Sequence, residues 1–245
     1  MWFGTRSRGA DDASLRLYCL PYAGRGSAYY IQWGRVLAPR IDVRPVLLPG
    51  RENRIGERSF TQMAALVGSL ADAIERDANV PFALFGHSLG ALIAFELART
   101  LRRRGARMPL ALIASGASSP TVPDPTPHVH ASSDAVLLDE LRALGGTPDI
   151  VFEEAELLAL ALPIFRADMT VYETYTCADE EPLDLPLHVL GGTRDPRVPR
   201  GDLLAWGGLT SGDFSIRMFE GDHYFIHPRE RDVLATIVKL LSALG

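Results

Sequence analysis

The segment Pro81-Phe82-Ala83-Leu84-Phe85-Gly86-His87-Ser88-Leu89-Gly90-Ala91-Leu92-Ile93-Ala94-Phe95-Glu96-Leu97 decides how this chain folds. A short apolar run reads as a buried strand, Gly86 to Gly90 as a tight G-x-S-x-G turn, and the small-residue stretch that follows as a helix. So sharp a turn forces Ser88 into a backbone conformation that side chains resist, and its neighbours must be glycine to avoid collision. Gly86, Gly90, Ala91 and Ala94 also let the helix lie close against the sheet. The Ser88 hydroxyl then stands clear of the chain at a helix N-terminus, where developing negative charge is favoured.

Outward from this turn, strands alternate with helices. Leu15 to Leu20 reads as the first strand, ended by Pro21, and a helix through Tyr30, Trp33, Val36 and Leu37 stops at Pro39. Ile41 to Leu48 is a second strand, broken by Pro49-Gly50, and Arg51 to Ser59 a charged loop. Met63, Leu66, Val67, Leu70 and Ile74 fall at helical spacing, and Leu110 to Ala114 is a fourth strand. This alternation predicts a mostly parallel sheet of about six to seven strands covered by helices on both faces. The pattern breaks at Ser118 to His130, which holds four prolines and reads as an extended linker. Helices are expected over Asp134 to Leu144, Glu153 to Leu162 and Ile164 to Tyr175, the last two separated by Pro163. An excursion of this size, about 118–180, is the usual form of a lid or binding segment. Leu187 to Leu190 resumes the sheet, Phe214 to Phe219 ends it, and Val233 to Leu241 closes the chain as an amphipathic helix. The whole of 1–245 reads as a single domain.

Composition is that of an ordinary globular protein: 245 residues, 47% hydrophobic and 22% charged. A formal net charge of -5 gives no reason to expect nucleic acid as a partner. Cys19 and Cys177 lie far apart with no C-x-x-C, consistent with a reducing cytosol. Residues 1–12 lack a signal peptide's apolar core and no 18-residue apolar run exists, so a cytoplasmic, membrane-free protein is expected. A monomer is the expected state.

A serine needs a neighbouring base, and the base an orienting acid, before it becomes a useful nucleophile. In the α/β-hydrolase fold these follow in the order Ser, Asp or Glu, His, with acid and base on loops after late strands. Asp195 follows the Leu187 strand and His223 follows the Phe214 strand, which makes Ser88, Asp195 and His223 the candidate triad. Of the other histidines, His87 is the variable position of the motif, His188 lies within a strand, and His128 and His130 lie in the linker. His227 is the competing base and Asp222 the competing acid, the latter disfavoured because adjacent side chains in an extended loop diverge. No spaced His, Cys and carboxylate set suggests a metal. Gly24-Arg25-Gly26 lacks both the P-loop and the dinucleotide-binding fingerprints. An oxyanion hole in this fold takes one N–H from the residue after the nucleophile, here Leu89, and one from an early loop, here Ala23.

Taken together, the residues resemble the type II thioesterases that accompany polyketide and non-ribosomal peptide synthases. The resemblance rests on Cys19-Leu20-Pro21-Tyr22-Ala23-Gly24 with Trp33 beyond it, on Pro49-Gly50-Arg51-Glu52-Asn53-Arg54, and on the Ser88 turn. Leu144-Gly145-Gly146-Thr147-Pro148, Leu162-Pro163-Ile164-Phe165-Arg166-Ala167-Asp168 and Gly221-Asp222-His223-Tyr224-Phe225 extend it over nearly the whole chain. It implies an α/β-hydrolase fold with a helical lid and a hydrolase that clears acyl groups from the phosphopantetheine arm of acyl or peptidyl carrier proteins. Such an enzyme needs no cofactor of its own, since the substrate carries the phosphopantetheine. Ser88 would be nucleophile, His223 base and Asp195 its orienter, with Ala23 and Leu89 the oxyanion donors. Arg25 stands where that family usually has glycine, and Leu89 where it often has methionine. Carrier proteins are generally acidic, which makes Arg51, Arg54 and Arg58 candidates for steering them. The motif set beginning at Met1 favours a free-standing protein over a domain cut from a synthase. A general esterase of small esters and a catalytically idle ligand-binding protein are the alternative readings.

Overall fold

The computed structural model describes residues 2–5 and 13–243; the rest of the polar stretch read over 1–12 lies outside the described residues. Among the described residues six strands form one sheet: β1 (Leu15–Leu20), β2 (Ile41–Pro45), β3 (Phe82–His87), β4 (Leu112–Ser115), β5 (Leu187–Gly192) and β6 (Phe214–Phe219). Their order is β2-β1-β3-β4-β5-β6, with every neighbouring pair parallel. Side chains alternate between two buried faces, as a sheet covered on both sides requires. Tyr18, Leu20, Phe82 and Leu84 enter one core, against α2 (Met63–Asp77) and α3 (Leu89–Arg103). Leu17, Cys19, Ala83 and Phe85 enter the other, against α1 (Ala28–Leu37) and α8 (Glu230–Ser242).

Strand order reverses between β1 and β3, and such a switch point opens a crevice at the carboxyl ends of the strands. Because Leu20 of β1 lies beside Gly86 of β3, the loop leaving β1 is delivered next to Ser88. β2 is shorter than the sequence suggests. Parallel pairing stops at Pro45, and Val46 pairs antiparallel with Phe3 instead.

Between β4 and β5 the chain leaves the sheet. Residues 118–130 contain no helix or strand, as the prolines require. Three helices follow: α4 (Asp134–Leu144), α5 (Asp149–Glu153) and α6 (Ala155–Thr174). α4 and α6 share a small core of Leu137, Leu141, Phe165 and Met169 with Val129, and Phe152 of α5 packs against it. The two helices expected on either side of Pro163 are one, since α6 runs through Pro163 without a break. Proline costs its own N–H bond and crowds the preceding turn, about 3 kcal/mol in a helix interior. Burial of Phe165, Ala167, Asp168, Met169 and Val171 in the turns that follow holds the helix on course. Between β5 and β6 a short helix, α7 (Arg200–Leu204), completes the set. Among the described residues no helix is long and apolar enough to cross a membrane.

Candidate active site

Ser88 is the N-cap of α3 and sits at φ 53°, ψ -122°. A non-glycine residue at positive φ costs on the order of 1–3 kcal/mol and persists only where its surroundings over-determine it. The surroundings here are backbone. A methyl group added at Gly86 would collide with the Gly90 carbonyl, and one at Gly90 with the Leu20 carbonyl. The Ser88 N–H is tied to the Ser115 carbonyl of β4 at 2.7 Å, fixing the turn from a third strand.

The loops after β5 and β6 are knitted together. Thr193 N–H donates to the Phe219 carbonyl and Arg194 N–H to the Gly221 carbonyl, both at 2.8 Å, and Gly192 leaves no room for a side chain beneath Asp222. This brings Asp195 to His223, whose Nδ1 donates to Asp195 Oδ2 at 2.8 Å. The other carboxylate oxygen accepts the N–H groups of Arg197 (2.9 Å) and Val198 (3.3 Å). Burial of Asp195, the largest single influence, opposes its ionisation. The His223 hydrogen bond, the His223 charge and the two N–H groups together outweigh it and lower the carboxyl pKa from its ordinary value. Ser88 and His223 line one cavity of about 440 Å³, together with Ala23, Leu89, Met169, Tyr172 and Tyr224. Leu89 is the first residue of α3, so its N–H has no partner within the helix.

The competing assignments part company with this cluster. His227 Nε2 hydrogen-bonds the Tyr22 hydroxyl at 3.0 Å, and its ring packs on Tyr29. Asp222 accepts from the Tyr224 N–H at 2.9 Å instead of reaching the His223 ring. His188 bonds Ser215 within the sheet. His87 is fully buried, bonded through Nδ1 to Ser115 Oγ at 2.9 Å, with its ring centroid 5.2 Å from that of His223. Burial above all, helped by the nearby His223 and His227, pushes the His87 pKa well below the usual histidine value. A neutral ring therefore backs the His223 side of the cluster, a role its place as the motif's variable residue gave no hint of.

Two arginines expected to steer a partner are interior. Arg51 is 4% exposed and bonds Asp168 through both terminal nitrogens, and Arg54 is 8% exposed and held by Glu57, the Leu47 carbonyl and the Trp2 ring. Neither presents its charge to solvent; Arg58 alone of the three is exposed. Arg25 lines a smaller cavity of about 120 Å³ that shares Ala23, Leu144 and Tyr224 with the main one; Ser88 is not among its lining residues. His128 and His130, read from the sequence only as linker residues, meet Glu173 with ligand-type atoms within 4.8 Å of one another, and His128 and Glu173 line the main cavity. Glu173 comes 43 residues after His130 and already accepts from the N–H groups of Val129 and His130 and from His130 Nδ1. These bonds occupy the carboxylate and clamp the proline-rich segment onto α6.

The thioesterase domain family matches residues 15–241 of the chain. The gramicidin S biosynthesis protein GrsT of Aneurinibacillus migulanus is 39% identical over 229 residues, covering 94% of this chain and 90% of that protein. A protein named linear gramicidin dehydrogenase LgrE, from Brevibacillus parabrevis, is 40% identical over 235 residues, covering 95% and 89%. Among solved structures, the type II thioesterase BorB from the borrelidin biosynthetic cluster superposes with a TM-score of 0.89 at 36% identity, covering 97% of this chain and 96% of its own. The strained serine turn, the strand order and the match over nearly the whole length agree, and the chain belongs to the thioesterase family.

Proposed function

We propose that this protein is a serine thioesterase that hydrolyses acyl groups from the phosphopantetheine arm of acyl or peptidyl carrier proteins. The observation that carries the reading is the Asp195–His223 hydrogen bond opening onto the cavity that holds Ser88. With its Nδ1 proton committed to Asp195, the His223 ring has Nε2 left as the acceptor for the serine proton. The Ser88 proton passes to Nε2 as Oγ attacks the thioester carbonyl. Negative charge collects on the carbonyl oxygen, where the N–H groups of Ala23 and Leu89 stabilise it. Collapse breaks the C–S bond, and the pantetheine sulfur leaves with the proton from Nε2. Water then gives a proton to His223 as it attacks the acyl-serine carbonyl; the C–Oγ bond breaks, His223 returns the proton to Ser88 Oγ, and the free acid leaves. The protein's residues suffice for each of these steps, and no cofactor of its own is needed.

Support for the carrier-bound substrate comes from relatives named for gramicidin S and borrelidin biosynthesis. The dehydrogenase name of LgrE finds no counterpart in the loop after β1, where Gly24-Arg25-Gly26 is followed by Tyr29 in place of a third glycine. We place the protein in the cytoplasm as a monomer, one domain whose 118–180 excursion acts as the lid. The test is Ser88→Ala against a panel of acylated carrier proteins followed by intact mass. The variant is expected to keep its thermal transition and lose hydrolysis; turnover at the wild-type rate would overturn the assignment.

A further inference from the structure

Asp168 lies on α6 at 4% exposure, far in sequence from the serine turn and from either loop of the Asp195–His223 pair. Its Oδ1 accepts from Arg51 Nη2 at 2.7 Å and its Oδ2 from Arg51 Nη1 at 2.8 Å, a two-point ion pair between two buried side chains. Pairs so arranged have geometric specificity beyond their charge. Both partners also hold the loop after β1. Asp168 Oδ2 accepts the Gly24 N–H at 2.7 Å, and Arg51 Nη1 donates to the Arg25 carbonyl at 2.9 Å.

These two bonds grip a four-residue turn. Arg25 N–H donates to the Tyr22 carbonyl at 3.0 Å, and Gly24 has φ +73°, the left-handed value that a turn of this kind requires at its third position. The Tyr22 carbonyl and the Ala23 N–H belong to the same planar peptide and point in opposite directions. Fixing that carbonyl therefore fixes the direction of the Ala23 N–H. The anchors of the turn are Gly24 N–H and Arg25 carbonyl, and both end on the Arg51–Asp168 pair. Phe165, one turn before Asp168 on α6, lies 3.5 Å from where a Gly24 side chain would begin and closes the turn from the same side.

From this chain of contacts we infer that Arg51 and Asp168 are positioning residues that aim the Ala23 N–H at the reacting carbonyl oxygen, so that oxyanion stabilisation depends on α6 being docked. The inference rests on the reading of Ala23 as an oxyanion donor. It gives the buried pair a task beyond holding the fold, and of Arg25 the turn uses only the backbone.

The test is the double substitution Arg51→Met with Asp168→Leu, which removes both charges together and strands neither. Acyl-pantetheine hydrolysis is measured beside the binding of two ligands. One is an alkyl trifluoromethyl ketone, which forms a tetrahedral oxyanion on the serine. The other is a non-hydrolysable thioether analogue of the substrate, which forms none. The double variant is expected to lose about 100-fold in kcat with KM within about twofold. Its trifluoromethyl ketone affinity should fall in parallel while thioether binding is kept. Asp168→Asn, which retains an acceptor for the Gly24 N–H, should recover part of the loss. A folded double variant with wild-type kcat and ketone affinity overturns the inference. Should the double variant lack a thermal transition, Asp168→Asn decides: a tenfold lower kcat at unchanged KM supports the inference, and a wild-type kcat refutes it. Wild-type protein no more active than Ser88→Ala would instead sink the functional reading itself.

Discussion

Asp195→Asn puts the hydrogen-bond logic of the site under the most direct strain. The carboxylate has two distinguishable oxygens. Oδ1 faces two fixed donors, the N–H groups of Arg197 and Val198 at 2.9 and 3.3 Å, and Oδ2 faces His223 Nδ1 at 2.8 Å. An asparagine must place its carbonyl oxygen toward the two N–H groups, because its amide group there would oppose donor to donor. Its NH₂ then points at His223 Nδ1 and can be satisfied only if Nδ1 becomes the acceptor. The imidazole proton moves to Nε2, the atom that receives the Ser88 proton in the proposed mechanism, and general-base catalysis would stop. The backbone bonds of the loop survive, so thermal stability should change by less than about 1 kcal/mol. The rate should fall by about 10⁴-fold, the value known for the corresponding change in a serine protease triad, which is about 5.4 kcal/mol of barrier. Asp195→Ala is an informative control. It abandons the two N–H groups but imposes no tautomer, and so should be no slower than Asp195→Asn while melting lower. Steady-state hydrolysis of an acyl-pantetheine, with thermal melts of all three proteins, checks both statements. An asparagine variant within tenfold of wild type, or one clearly faster than the alanine variant, refutes the tautomer argument.

The remaining expectations concern stability and docking. Gly86→Ala should abolish soluble folded protein, because the added methyl meets the Gly90 carbonyl and neither backbone segment can retreat; recovery of a cooperative melt would contradict the close packing of β3 and α3. His87 has a native pKa well below its unfolded value of about 6.5, so below that pH the unfolded chain binds the extra proton and stability falls as pH falls. Between pH 7.5 and 5.5 stability should fall through this residue, and His87→Asn should flatten that part of a denaturant-monitored pH profile. Arg54→Ala should lower the melting temperature while leaving the salt dependence of kcat/KM unchanged, since its charge is turned inward on Glu57 and the Trp2 ring; a shallower salt slope would restore it as a docking residue.

What could be read from the chain follows the range over which each feature is determined. Ser88 and its glycines are a local matter, so strand, turn and helix were legible from five residues and their flanks. Asp195 and His223 could be nominated as partners for Ser88 because each follows a strand whose apolar run announces it, and parallel strands deliver their ends to one edge. Pro163 was misread because its local cost is real while the compensating contacts, Phe165 against the Gly24 turn and Asp168 on Arg51, come from residues over a hundred positions away. Arg51 and Arg54 were misread for the same reason. In a loop of charged residues an arginine ordinarily faces water, and only Asp168 and the Leu47 carbonyl turn these two inward.

These two misreadings meet at a single place in the molecule. A helix continuous through Pro163 keeps Phe165 and Asp168 on one rigid rod, a turn apart, facing the loop after β1. Were α6 broken at Pro163, the following segment could reorient and the distance from Asp168 to Gly24 N–H would no longer be set by helix geometry. Continuity of α6 is thus what allows one carboxylate to serve an arginine from the loop after β2 and an amide from the loop after β1 at 2.7–2.8 Å each. The costs of an internal proline and of two buried charges are both concentrated on the segment that steadies the Ala23 turn. A helix whose only task was to cover the cavity would need neither, since an unbroken apolar face packs as well and costs less.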